Sequence, residues 1–109
     1  MREVWRDLTE SQPKVAQEWG ATHYPGAMQK VASDFVLLLS EQSGVPVRQI
    51  KPPDRFIEDL KLIGLESVEV IMAVEEAFME VPVEDLEQLA TVHDFISYLH
   101  QRAHEAKPE

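Results

Sequence analysis

EDLKLIGLESVEVIMAVEEAF, residues Glu58–Phe78, is an acidic stretch in which apolar side chains recur at helical spacing. This period predicts an amphipathic helix from about Leu65 to Phe78. We expect its buried face to consist of Leu65, Val68, Ile71 with Met72, and Val74–Phe78. Acidic side chains occupy much of the remaining surface: Glu66, Glu69, Glu75, Glu76 and Glu80.

The negative charge of the chain is concentrated around this helix. The formal net charge is −10, and residues 54–90 hold eleven acids and only two bases, Arg55 and Lys61. Nine of the ten excess negative charges therefore lie in this third of the sequence. Because an acidic surface repels phosphate backbones and attracts basic protein patches, we expect no nucleic-acid partner.

Helical patterns also dominate the sequence on both sides of this stretch. One helix is predicted from about Ala27 to Gln42, and the proline-rich segment VPVRQIKPPDRFIEDL then predicts a long loop. After Pro82, a short helix is expected over about Val83–Leu89. The last helix is expected to start at Thr91, where Thr91 and Asp94 resemble a capping box.

The first 26 residues form a less regular segment. They predict a short helix interrupted by Pro13, with the apolar side chains of Trp5 and Trp19 favouring partial packing on the remaining helices.

Composition limits the class of protein. The 109 residues are 44% hydrophobic, which is typical of one small globular domain. There is no cysteine, and the longest apolar run, FVLLL, is too short to cross a bilayer. We therefore expect a cytoplasmic monomer without a membrane span.

The sequence offers no self-contained catalytic site. No glycine-rich phosphate loop or calcium-binding loop is present. His93, His100 and His104 follow one another at spacings of seven and four, but no carboxylate ligand set accompanies them. We therefore predict exposed histidines, no metal site and no catalytic residues.

The order of these elements resembles the acyl carrier protein family over roughly Met28–Arg102. FIEDL is similar to the end of the family's long loop, VEVIMAVEEAF to its acidic second helix, and VPVEDLEQLATVHDFISYL to its third and fourth helices. The resemblance implies an all-α four-helix bundle, with three longer helices and one short one, and a long first loop. It divides the chain into an N-terminal extension (1–26, partly ordered), the bundle (27–102) and a frayed tail (103–109).

The same resemblance implies a function. Members of the family carry 4′-phosphopantetheine on a serine at the start of the second helix. Acyl groups are attached as thioesters to the thiol of this prosthetic group. The implied partners are a phosphopantetheinyl transferase and acyl-processing enzymes of fatty-acid, polyketide or related biosynthesis, which have basic docking patches. The residues expected to dock are Glu66, Glu69, Glu75 and Glu76.

Two alignments compete for the position of that serine. Without gaps, the family serine falls on Gly64, which has no hydroxyl group. In the other alignment IGLESVEV matches the family's attachment motif directly, with Ser67 as the serine and Glu66 in place of aspartate. A shift of three residues is close to one helical turn, so periodicity does not separate the two. We expect attachment at Ser67, and the alternative is a carrier-like interaction module without a prosthetic group.

Overall fold

The computed structural model describes the backbone of residues 2–62 and 64–106, and the side chains of residues 13–62, 64–65 and 67–103. Within these ranges the chain forms five α-helices and no strand. They are α1 (Arg2–His23), α2 (Gln29–Ser43), α3 (Leu65–Ala77), α4 (Val83–Leu86) and α5 (Val92–Ala106). A short 3₁₀ helix, Val47–Gln49, lies in the long loop between α2 and α3.

The predicted all-α bundle with a long first loop is confirmed. Its core is built around three phenylalanines from different elements. Phe35 of α2 stacks on Phe95 of α5 with 5.0 Å between ring centroids, and Phe56 of the long loop meets Phe95 edge-on at 5.8 Å. Aliphatic side chains from the helices and the loop fill the space around them: Val36, Leu39, Val47, Ile50, Val74, Val92, Ile96 and Leu99.

Helix α1 is longer and more continuous than the sequence predicts. Pro13 lies inside it, so the expected interruption is wrong. Proline disturbs the turn that precedes it, whereas the residues that follow can continue as helix. From Val15 onward the helix packs on the bundle, with Ala16 and Trp19 buried. Trp5 lies outside the described side chains, and the proposed division of the chain at residues 26 and 102 stays a prediction.

Three local contacts fix the C-terminal half of α1. Gly20 lies so close to α2 that a Cβ atom there would overlap Ser33 Oγ and come within 2.8 Å of the Gln29 carbonyl oxygen. The Trp19 indole N–H donates to the Ile50 carbonyl at 2.7 Å.

The third contact lies just after α1. The Tyr24 hydroxyl lies 2.7 Å from His93 Nδ1, and the two rings stack with 12° between their planes. Burial raises the pKa of Tyr24 above its usual value, and the Asp94 carboxylate adds to the effect.

The C-terminal helices follow the predicted order with one change in length. Helix α4 ends at Leu86 rather than near Leu89. The capping box before α5 is confirmed, because the Asp94 N–H donates to Thr91 Oγ1 at 3.1 Å and the Thr91 N–H donates to the Asp94 carboxylate at 3.2 Å.

Candidate functional site

The candidate site is the junction between the long loop and α3. Gly64 is the residue that precedes the helix, with φ +67° and ψ −135°, a backbone conformation that favours glycine. Regular helix starts at Leu65, and its first backbone bond runs from the Val68 N–H to the Gly64 carbonyl at 3.4 Å. Ser67 is thus the third helical residue rather than the residue before the helix.

This geometry bears on both alignments. A helix that starts at Leu65 is what the ungapped alignment predicts, with Gly64 in place of the family serine. The positive φ of Gly64 is the loop conformation expected if Ser67 is the attachment residue. The choice between the two residues stays a prediction.

The Ser67 hydroxyl points back toward the beginning of α3, where it donates to the Gly64 carbonyl at 2.7 Å. The N–H groups of a helix's first turn lack acceptors within the helix, so they and the helix dipole favour a phosphate at this end. A group attached to Ser67 Oγ would therefore start beside these donors.

Ser67 also borders an apolar cavity of about 380 Å³. The cavity lies between α3, the long loop, the α4 region and α5. Its lining is mostly aliphatic and aromatic: Phe56, Ile57, Leu62, Gly64, Ser67, Val70, Ile71, Leu86, Leu89 and Phe95. Such a lining suits an unbranched or branched hydrocarbon chain and offers few partners to a polar one.

The exposed side of α3 differs from the sequence prediction. Leu65, Val68 and Met72 were expected on the buried face, but their exposed fractions are 71%, 50% and 58%. The prediction is wrong because Val70 and Val74 are the residues that α3 buries, and this orientation turns the other three outward. The three lie at positions i, i+3 and i+7 and form one apolar row, called here the α3 stripe.

The α3 stripe was not predictable from the sequence, because apolar residues surround much of this helix. Ile57 of the long loop and Val83 at the start of α4 are also exposed, at 62% and 66%. A row of exposed apolar side chains such as the α3 stripe marks an interaction site more often than isolated exposed residues do.

The predicted docking acids are not equivalent in the structure. Glu69 and Glu76 are exposed. Glu76 lies on a groove shared with Asp34 and Glu41 of α2. Glu75 is half-buried, and its carboxylate accepts the Val81 N–H at 3.4 Å. The side chain of Glu66 lies outside the described residues.

The remaining predictions concern absences. Across the described side chains no three histidine or carboxylate groups come together as a metal site would require. His93 contacts Tyr24, and the His104 side chain lies outside the described part. None of the described helices has the length and apolar character needed to cross a membrane.

The chain matches many known proteins, and two acyl carrier proteins serve as examples. The chain is 45% identical over 60 residues to the acyl carrier protein of Helicobacter hepaticus, a match that covers 54% of this chain and 79% of that one. It is 44% identical over 66 residues to the acyl carrier protein of Bdellovibrio bacteriovorus, covering 60% of this chain and 85% of the relative. No family model matches the chain.

Proposed function

Because the chain belongs to the acyl carrier protein family, we propose that it is a non-enzymatic carrier of acyl groups. It holds them as thioesters on 4′-phosphopantetheine and presents them to fatty-acid, polyketide or related biosynthetic enzymes. It acts as a cytoplasmic monomer.

The observation that carries this proposal is the position of Ser67. Its hydroxyl lies in the first turn of α3 and is directed toward the helix N-terminus, 2.7 Å from the Gly64 carbonyl. It also borders the apolar cavity, so an arm attached there has hydrocarbon-compatible space beside it. In this proposal the phosphate of the arm is held by the helix start and the chain's own residues perform no bond-making step.

Docking is proposed to use the α3 stripe together with the acids beside it. Glu69 stands between Val68 and Met72 along the helix and is exposed like them. An apolar row flanked by carboxylates matches an enzyme surface that has an apolar centre and a basic rim. Glu66, Glu75 and Glu76 complete the acidic set, and the partners include a phosphopantetheinyl transferase and acyl-processing enzymes.

A second candidate function is an interaction module that carries no prosthetic group. The observation in its favour is Gly64, which precedes α3 directly and has no hydroxyl. Such a protein would use the same acidic and apolar surface to bind or regulate partner proteins.

The intact mass distinguishes the two functions. After incubation with coenzyme A and a broad-specificity phosphopantetheinyl transferase, the wild-type protein is expected to gain one phosphopantetheine. Ser67→Ala should abolish the gain. Ser43→Ala is the matched control, since the Ser43 hydroxyl also donates to a carbonyl one turn earlier, that of Leu39 at 2.6 Å.

An unmodified wild-type protein with several transferases would contradict the carrier proposal. If Gly64→Ser then gained the modification, the interaction module would be the better description. In that case the wild-type protein would have the fold of a carrier but lack the residue to which the prosthetic group is attached.

A further inference from the structure

A second groove lies between α2 and α3 and shares no lining residue with the apolar cavity beside Ser67. It has a volume of about 440 Å³ and is open to solvent. Leu37 and Leu38 of α2 form part of its lining and are half-buried, so part of their aliphatic surface faces water. This groove is called here the α2–α3 groove.

The α2–α3 groove exists because α3 presents small side chains to it. Ala73 and Ala77 lie one turn apart on α3 and line the groove together with the leucines of α2. Because neither alanine extends beyond a methyl group, the two helices leave apolar space between them that a side chain of another molecule can fill. Removing this aliphatic surface from water favours binding.

The charge of the groove is negative. Three carboxylates and no basic side chain line it. Neither Glu41 of α2 nor Glu76 of α3 makes an ion pair with any side chain that the structure describes. Asp34 pairs with Lys30, one turn earlier on α2, at 3.0 Å, but an ion pair between exposed side chains contributes little. The carboxylates are therefore available to a cationic partner.

The α2–α3 groove differs from the α3 stripe in direction and in composition. Ala73 follows Met72 of the stripe and therefore projects about 100° further around α3. On α2, Asp34, Leu37 and Glu41 lie at positions i, i+3 and i+7. They form a row about 10 Å long in which an apolar residue lies between two acids. Because α2 takes no part in the α3 stripe, a partner that contacts this row approaches the molecule from another side.

We propose that the α2–α3 groove binds a basic amphipathic helix of a partner protein. Apolar side chains of that helix cover the leucines and alanines, and its lysine or arginine side chains pair with the three carboxylates. The stems of these basic side chains are themselves apolar, so they suit a groove that combines leucines with acids. Binding here needs no prosthetic group, so it goes beyond the carrier function and occurs whether or not Ser67 is modified.

The test uses the full, unmodified chain and a synthetic peptide of about 15 residues, built of leucine, alanine and lysine with the leucines on one helix face. Titration calorimetry measures its affinity, amide chemical shifts locate its binding surface, and circular dichroism checks that each variant is folded. Glu41→Gln removes one charge of the groove, and Leu37→Gln keeps a side chain of similar length but removes its apolar character. Glu69→Gln is the matched control, because it removes the same charge from an exposed residue of α3 beside the stripe.

We expect Glu41→Gln to weaken peptide binding about threefold and Leu37→Gln about fivefold, since an exposed ion pair and a partly buried apolar side chain each contribute modestly. Glu69→Gln should have little effect, and the largest chemical-shift changes should fall in residues 34–42 and 73–77.

Three results would overturn the proposal: chemical-shift changes centred on residues 65–72, an equal loss of affinity in Glu69→Gln and Glu41→Gln, or wild-type affinity in Leu37→Gln. Absence of binding at about 1 mM peptide would overturn it as well, because the groove would then have no measurable affinity for the kind of helix that it is proposed to bind.

Discussion

At the scale of the residue, Gly64 has a backbone conformation that other amino acids do not adopt easily. Its φ is +67° and its ψ −135°, and a Cβ atom there would have no neighbour within 4 Å. The requirement for glycine is therefore conformational rather than steric.

We expect Gly64→Ala to lower the free energy of unfolding by about 1–3 kcal/mol through backbone strain. Urea unfolding followed by circular dichroism measures the change. Leu65→Ala is the neighbouring control, since the 71% exposed Leu65 side chain contributes little burial. Equal stability of Gly64→Ala and wild type would mean that the positive φ is not needed to start α3.

The sequence identifies Gly64 and Ser67 as the residues to examine but does not rank them, for a physical reason. A hydroxyl can approach the start of a helix from the residue before it or from the first turn, and a shift of about one turn preserves the buried face. The exposure of Leu65, Val68 and Met72 was unpredictable for a related reason. When apolar residues surround a helix, only the packing of its neighbours decides which of them are buried.

At the scale of the element, the contact between α1 and α2 depends on the absence of one side chain. Gly20 of α1 faces Ser33 and the Gln29 carbonyl of α2, and an added Cβ would overlap the first and crowd the second at 2.8 Å. Close approach of two helix backbones is a common use of glycine.

Gly20→Ala should therefore push α1 away from α2 and destabilise the protein by about 1–3 kcal/mol, the usual range for overpacking. The Trp19 indole proton, which is bonded to Ile50 at 2.7 Å, should lose protection from hydrogen exchange. Ala21→Ser, on the exposed side of the same helix, is the control. An unchanged indole proton in Gly20→Ala would show that α1 does not need this close contact.

The elements themselves were largely predictable, because α2 and α5 combine apolar periods with clear end signals. Gly44 ends α2 with φ +82°, and Thr91 with Asp94 starts α5. Helix α1 was not predicted in full, since a proline within a polar segment is indistinguishable from a helix break until its tertiary contacts are known. The apolar cavity was also not predictable from the sequence, because its lining comes from four separate parts of the chain.

At the scale of the whole molecule, most of the excess negative charge lies in residues 54–90, the part of the sequence that also contains the proposed docking surface. We expect the affinity for a phosphopantetheinyl transferase to fall at least threefold between about 0.05 and 0.5 M NaCl, as the Debye length becomes shorter than the spacing of surface charges. Titration calorimetry at several salt concentrations measures this dependence.

Glu69→Gln should make the salt dependence shallower. Glu18→Gln removes the same charge from an exposed residue of α1 and should leave the salt dependence unchanged. Individual exposed charges contribute little, so the slope of affinity against salt is the informative quantity rather than one dissociation constant. An affinity that does not vary with salt would argue against docking through this surface.

The contact between Tyr24 and His93 has a consequence for chain entropy. The pair joins residues 69 positions apart, whereas the turn between α1 and α2 spans only residues 24–28. Closing the longer loop in an unfolded chain would cost about 2 kcal/mol more, since the entropy lost grows with the logarithm of loop length. Both α1 and α5 pack on α2, however, and this packing already brings the two side chains together. The hydrogen bond then forms with little further loss of freedom, and it couples the first helix to the last so that neither leaves α2 without disturbing the other.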